Sequence, residues 1–104
     1  MSAVQKHASD VRLDAAEIST IKKAVEQLDA AAEVYLFGSR ADAAKRGGDI
    51  DLLIVSANIV RRDLYKIRWA FFERFGEQKI DIVLDDGSGT RPFVRRIFDE
   101  AVRL

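Results

Sequence analysis

Two acidic residues, Asp49 and Asp51, head the apolar run Leu52-Leu53-Ile54-Val55, and the tripeptide Gly38-Ser39-Arg40 lies shortly before them. In an extended strand, residues i and i+2 project to the same face, which sets the two carboxylates side by side, roughly 7 Å apart along the chain. Two charges held that close at the entrance to a buried strand repel each other, and burying them unpaired costs several kcal/mol or forces one to take up a proton. A hard divalent cation, Mg²⁺ or Mn²⁺, removes the conflict by accepting oxygen from both. An Asp-x-Asp pair alone is common at turns and strand ends. Its weight comes from a third acid, Asp81, set between apolar residues in Lys79-Ile80-Asp81-Ile82-Val83-Leu84. An aspartate inside a strand is disfavoured, and one that faces Asp49 and Asp51 from a neighbouring strand completes a metal-binding trio.

The glycine–serine turn supplies the complementary chemistry. Val34-Tyr35-Leu36-Phe37 reads as a short buried strand, and Gly38 ends it where the backbone bends sharply or approaches a ligand. Ser39 then stands where a helix can begin, and a helix N-terminus attracts phosphate through its free N–H groups and partial positive charge. Capping that helix and binding phosphate use the same serine geometry, and the nearby acids favour phosphate. Arg40 has two readings of similar weight, a charge-assisted contact to phosphate and an exposed pair with a surface acid. The basic stretch from Ala43 to Gly48 reads first as a solvated loop and second as a flap over a triphosphate.

These residues need a scaffold, and the chain alternates accordingly. Asp14 followed three residues later by Glu17 has the form of a capping box opening a helix through about Leu28. A strand at 33–37, a short helix at 39–45, a strand at 49–56, a long helix at 60–75 closed by Gly76, a strand at 79–84 and a last helix at 91–102 follow. This order predicts a single α/β (α+β) domain over 1–104, with helices packed on a small mixed sheet of three or four strands and 1–10 as a loose leader. The long helix suits a parallel crossover between the second and third strands. The shorter link from Phe37 to Asp49 suits an antiparallel turn.

Aromatic residues crowd the long helix. Leu64, Ile67, Trp69, Phe71, Phe72 and Phe75 give it a broad apolar surface that reads mostly as core. Tyr65, Trp69 and Phe72 cannot share one narrow stripe with Phe71 and Phe75, so part of that surface is expected to be open to a partner. Arg91, Arg95, Arg96 and Arg103 read as solvating charges, with contact of Arg91 and Arg95 to an anion as the lesser alternative. His7, in the leader, has no assigned role.

Composition narrows the function. With 48% apolar and 33% charged residues the chain is ordinary globular material. Seventeen basic and seventeen acidic residues cancel, so no global positive field draws it to nucleic acid, and direct nucleic-acid binding is not expected. Cysteine is absent, which excludes disulfides and thiolate ligands. The N-terminal residues lack the apolar core of a signal peptide and no stretch is long enough to span a bilayer, so a cytoplasmic protein without membrane contact is expected.

Gly38-Ser39 followed by Asp49-Ile50-Asp51 and a later strand Asp81 resembles the signature of the nucleotidyltransferase superfamily that includes DNA polymerase beta. Gly-Ser-Arg-Ala with Asp-Ile-Asp-Leu-Leu is similar to its minimal, stand-alone branch. The resemblance covers about Val34 to Leu84. Gly48 departs from it, because serine often precedes the first aspartate in the family. Haloacid-dehalogenase-like phosphatases carry their acid pair after the apolar strand, and Asp-x-Asp glycosyltransferases need a far larger domain.

The resemblance implies a sheet with the second strand between the first and third, and a site in which Asp49 and Asp51 bridge two Mg²⁺ ions. It further implies that Asp81 holds the ion at the acceptor hydroxyl and serves as base, while Gly38, Ser39 and Arg40 bind the triphosphate of ATP. A chain of this length is expected to take its acceptor surface from another molecule, as a hetero-oligomer or homodimer. In the minimal branch the familiar partner is a small helical toxin ribonuclease of the HEPN type, whose tyrosine receives AMP from the antitoxin. A catalytically idle module that neutralises such a partner by covering it is the main alternative. Transfer to RNA or to a small molecule is a further one.

Overall fold

A computed structural model describes residues 13–38 and 48–104 of the protein. Helix α1 (Ala15–Leu28) begins where the sequence places it. The Asp14 carboxylate accepts from the Glu17 N–H at 2.8 Å and the Glu17 carboxylate accepts from the Asp14 N–H at 3.0 Å, completing the capping box. Thr20, Ile21, Ala24 and Val25 form its buried face.

Strand β1 (Glu33–Phe37) pairs antiparallel with β2 (Ile50–Val55), which pairs parallel with β3 (Ile80–Asp85). The last strand, β4 (Val102–Arg103), closes the other edge antiparallel to β1, giving the order β3-β2-β1-β4. The fold is thus a mixed four-stranded sheet with three helices among the described residues. The predicted helix at 39–45 lies outside them, as do the leader and His7.

Alternation assigns each strand residue to a face. Val34, Leu36, Ile50, Leu52, Ile54 and Ile80 pack with α1 and with α2 (Leu64–Phe75) in the main core. Leu53, flanked by Tyr35, Phe37, Val55 and Val83, meets Val94 and Ile97 of α3 (Pro92–Glu100) on the opposite face. Right-handed crossovers require this division. The β2–α2–β3 and β3–α3–β4 connections run in opposite directions across the sheet, so their helices must cover opposite faces. Covered on both sides, β2 is apolar without interruption from Leu52 to Val55, and Leu52, Leu53 and Ile54 are completely buried.

Two boundaries differ from expectation. A 3-10 turn at Arg61–Asp63 precedes α2, with the Asp63 carboxylate accepting from the Val60 N–H at 3.3 Å. At the other end the last helix stops at Glu100, because Val102 leaves it to pair with Leu36 and become buried. A two-residue strand is too short to show alternation, and its apolar valine reads as one more helical position.

Ser56 ties the sheet to α1. Its hydroxyl donates to the Asp29 carboxylate at 2.6 Å and accepts from the Asn58 and Ile59 N–H groups at 3.1 and 2.9 Å. That hydroxyl is the leading reason the Asp29 carboxyl titrates below its usual range, followed by the Ala31 N–H. The stabilisation is present above the ordinary carboxylate range and is lost as pH falls through the lowered value. Ser56→Ala strands two N–H groups beside a buried turn and is expected to lower the unfolding free energy by about 1–2 kcal/mol in urea titration. In that variant Asp29 should also titrate nearer to an ordinary carboxylate.

Candidate active site

The starts of the parallel strands β2 and β3 lie at the same edge of the sheet as the end of β1, and the three acids gather there. Asp51 and Asp81 are register partners across the β2–β3 ladder and project to one face, the one covered by α3. Asp49 lies just before β2. Its strand entry is fixed by the Ile50 N–H donating to the Lys79 carbonyl at 3.0 Å and by the Gln78 side-chain amide donating to the Gly48 carbonyl.

Lys79 stands among the carboxylates. Its ammonium lies 3.6 Å from Asp49 Oδ2 and 3.9 Å from Asp81 Oδ2. Sequence reading gave Lys79 no role, although its position two residues before Asp81 on an extended segment points it toward the same face. Even with this cation present, the Asp51 carboxyl titrates above its ordinary value. Burial is the first cause, the charges of Asp81 and then Asp49 add to it, and Lys79 opposes it. Among the described residues, Lys79 is the cation paired with Asp49 and Asp81 at this edge.

Gly38 links the acids to the turn after β1. It has φ +74°, a conformation that side chains rarely adopt, and a Cβ there would overlap Asp51 Oδ2 and lie 3.2 Å from its Cγ. Phe37, the register partner of Asp51, brings the turn to this position. Only a residue without a side chain leaves room for the carboxylate against the backbone. Ser39, Arg40 and the basic stretch after them lie outside the described residues.

Arg91 and Arg95 belong elsewhere. Arg91 donates to the Leu84 carbonyl and lies 3.8 Å from Asp85 Oδ1, and Arg95 donates to the Gly89 carbonyl at 3.0 Å. Asp85 ends β3, four residues beyond Asp81, or about 13 Å along the strand. Both arginines hold the 85–91 turn there. The buried Asp85 carboxylate also accepts from the Gly87 and Gly89 N–H groups at 2.9 and 3.3 Å. Their lesser reading as anion contacts finds no support at the acidic edge.

The donor set at the acidic edge is all oxygen, which suits Mg²⁺ or Mn²⁺ rather than a softer metal. Among the described residues no three or more His, Cys, Asp or Glu side chains form a ready-made metal cage. Magnesium rarely needs one, since one or two carboxylates and the phosphates of the substrate commonly hold it. Carboxylates gathered beside a glycine turn fit an ion that arrives with a triphosphate.

A mixed sheet with carboxylates on adjacent strands and a tight glycine at the end of the preceding strand is an arrangement suited to phosphoryl transfer. The nucleotidyltransferase domain model matches residues 18–104, and the chain belongs to that family. No curated protein matches it. Among the described residues no helix is long and apolar enough to cross a membrane.

Proposed function

We propose that the protein transfers AMP from ATP to a tyrosine hydroxyl of a small helical partner of the HEPN type, and so acts as the antitoxin of a two-protein module. The observation that supports this most is the packing of the Asp51 carboxylate against Gly38, which joins the acidic edge to the turn expected to seat phosphate. Asp49, Asp51 and Asp81 would hold Mg²⁺, with Mn²⁺ as a substitute. When bound, the ion screens negative charge on the attacking and leaving oxygens of an in-line displacement.

The protein's residues contribute position and proton transfer. The backbone at Gly38 and the Ser39 hydroxyl bind the β- and γ-phosphates, with Arg40 adding charge. Asp81, exposed on the rim, faces the acceptor and takes the proton from its hydroxyl. A bond forms between that oxygen and the α-phosphorus while the bond to the bridging oxygen breaks, and pyrophosphate leaves. Lys79 exchanges its carboxylate partners for the incoming phosphate charge.

A second reading draws on the same lysine. If Lys79 substitutes permanently for a cation between Asp49 and Asp81, the protein is an idle module that neutralises its partner by contact. ATP labelled at the α-phosphate, incubated with the protein and the purified helical product of the neighbouring gene, separates the two. Label on the partner that disappears with Asp49→Ala is the expected result. No label, with neutralisation unchanged in Asp49→Ala, rejects transfer in favour of contact.

A further inference from the structure

Helix α2 carries two apolar stripes, and only one has a use within the chain. Leu64, Ile67 and Phe71 face the core. On the far side, Tyr65 and Trp69, one turn apart, are 63% and 62% exposed, while Phe72, next along that line, is half-buried and packs against the core. Exposed aromatic rings in a row on a helix whose inner face is already satisfied are unusual on a monomer surface. The charges beside them are graded along the axis. Lys66 lies in the first turn of α2 and Glu73 in its last, both are exposed, and neither makes an ion pair among the described residues.

This distribution is complementary to itself reversed. When two such helices lie antiparallel about a two-fold axis beside Trp69, Lys66 of each meets Glu73 of the other, with the aromatic rings beside them. Antiparallel packing additionally opposes the two helix dipoles favourably, and a two-fold interface requires this kind of self-matching.

We propose that the outer face of α2 is a homodimer interface, its occupant the α2 helix of a second copy of this chain. The acidic edge faces the α3 side of the sheet, so pairing through α2 leaves it open on both protomers. The interface is a single helix pair, at the small end of the range for specific contacts, and a weak equilibrium on the order of micromolar is expected.

Sedimentation equilibrium of the full chain from about 1 to about 300 µM brackets that affinity. The expected result is a monomer–dimer equilibrium weakened at least tenfold by Lys66→Glu and by Glu73→Lys separately, and restored when both are combined, since the swap rebuilds the pairs with reversed sign. Trp69 is the chain's one tryptophan, so its fluorescence should shift to shorter wavelength with dilution-sensitive dimer formation. A monomer throughout, with Trp69 emission independent of concentration, overturns the proposal and leaves the face to a different protein. A dimer indifferent to all three charge variants also overturns it. Circular dichroism of each variant verifies folding, which substitution at exposed positions should preserve.

Discussion

Asp51→Asn is expected to reduce nucleotidyl transfer by about 10³-fold while leaving the protein at least as stable as it was. The two halves of this result have one cause. Asp51 sits half-buried between Asp81 across the ladder and Asp49 two residues back, and all three influences push its carboxyl toward the protonated form. The charge is unfavourable to the fold, and under the proposed function it is useful only when a cation and a triphosphate arrive. Asparagine keeps the shape that fills the space beside Gly38 and removes the charge, so binding is lost and repulsion relieved together. Such opposition between stability and activity is expected where a site is built for an absent charge.

The pH dependence follows with a definite sign. A carboxyl whose folded value is raised binds more protons in the native than in the unfolded state, so stability falls as pH rises through that interval. The penalty is fully present above the raised value and absent below the ordinary carboxylate range. At neutral pH, Asp51→Asn should therefore be the more stable protein, by under about 1 kcal/mol because solvent screens a partly exposed group. Thermal unfolding of both proteins should show the gap closing as the solution is acidified through the raised value. A gap that stays constant with pH would exclude the electrostatic cause.

Much of this arrangement was legible because local and tertiary signals agree. Asp14 and Glu17 state a helix start outright, and β1 ends at Gly38, a residue type that favours the bend the structure shows there at φ +74°. The long crossover through α2 and the shorter link into β2 suited parallel and antiparallel links, and the strand order implied by the resemblance set Asp81 beside Asp51, as the ladder has it. Three features escaped for physical reasons. Lys79 looks like a solvating charge until the ladder aligns it with the acids. The two residues of β4 are too few to carry a period. On α2, composition shows two apolar stripes, but only packing against the core decides that Trp69 is the outer one. Arg91 illustrates the converse, since it reads first as a solvating charge and is instead engaged by Asp85 and the Leu84 carbonyl. Ser39 and Arg40 lie outside the described residues, so their reading still rests on sequence.

Gly38→Ala is expected to lower activity as well, by about 10²-fold, and for a geometric rather than an electrostatic reason. Two costs add. At φ +74° an alanine carries the left-handed penalty of about 1–2 kcal/mol. Its methyl group also overlaps Asp51 Oδ2, so either the carboxylate rotates away or the turn after β1 shifts. Both moves separate the acid from the phosphate seat, and a displacement of about 1 Å in such a site costs on the order of 10²-fold in rate. A double-mutant cycle separates the contributions. Measured by denaturant unfolding, the destabilisation caused by Gly38→Ala should shrink in an Asp51→Ala background, where the overlapping oxygen is gone and only the backbone penalty remains. Equal destabilisation in both backgrounds would mean that Asp51 does not rest against Gly38, and the link between the acidic edge and the turn would fail with it.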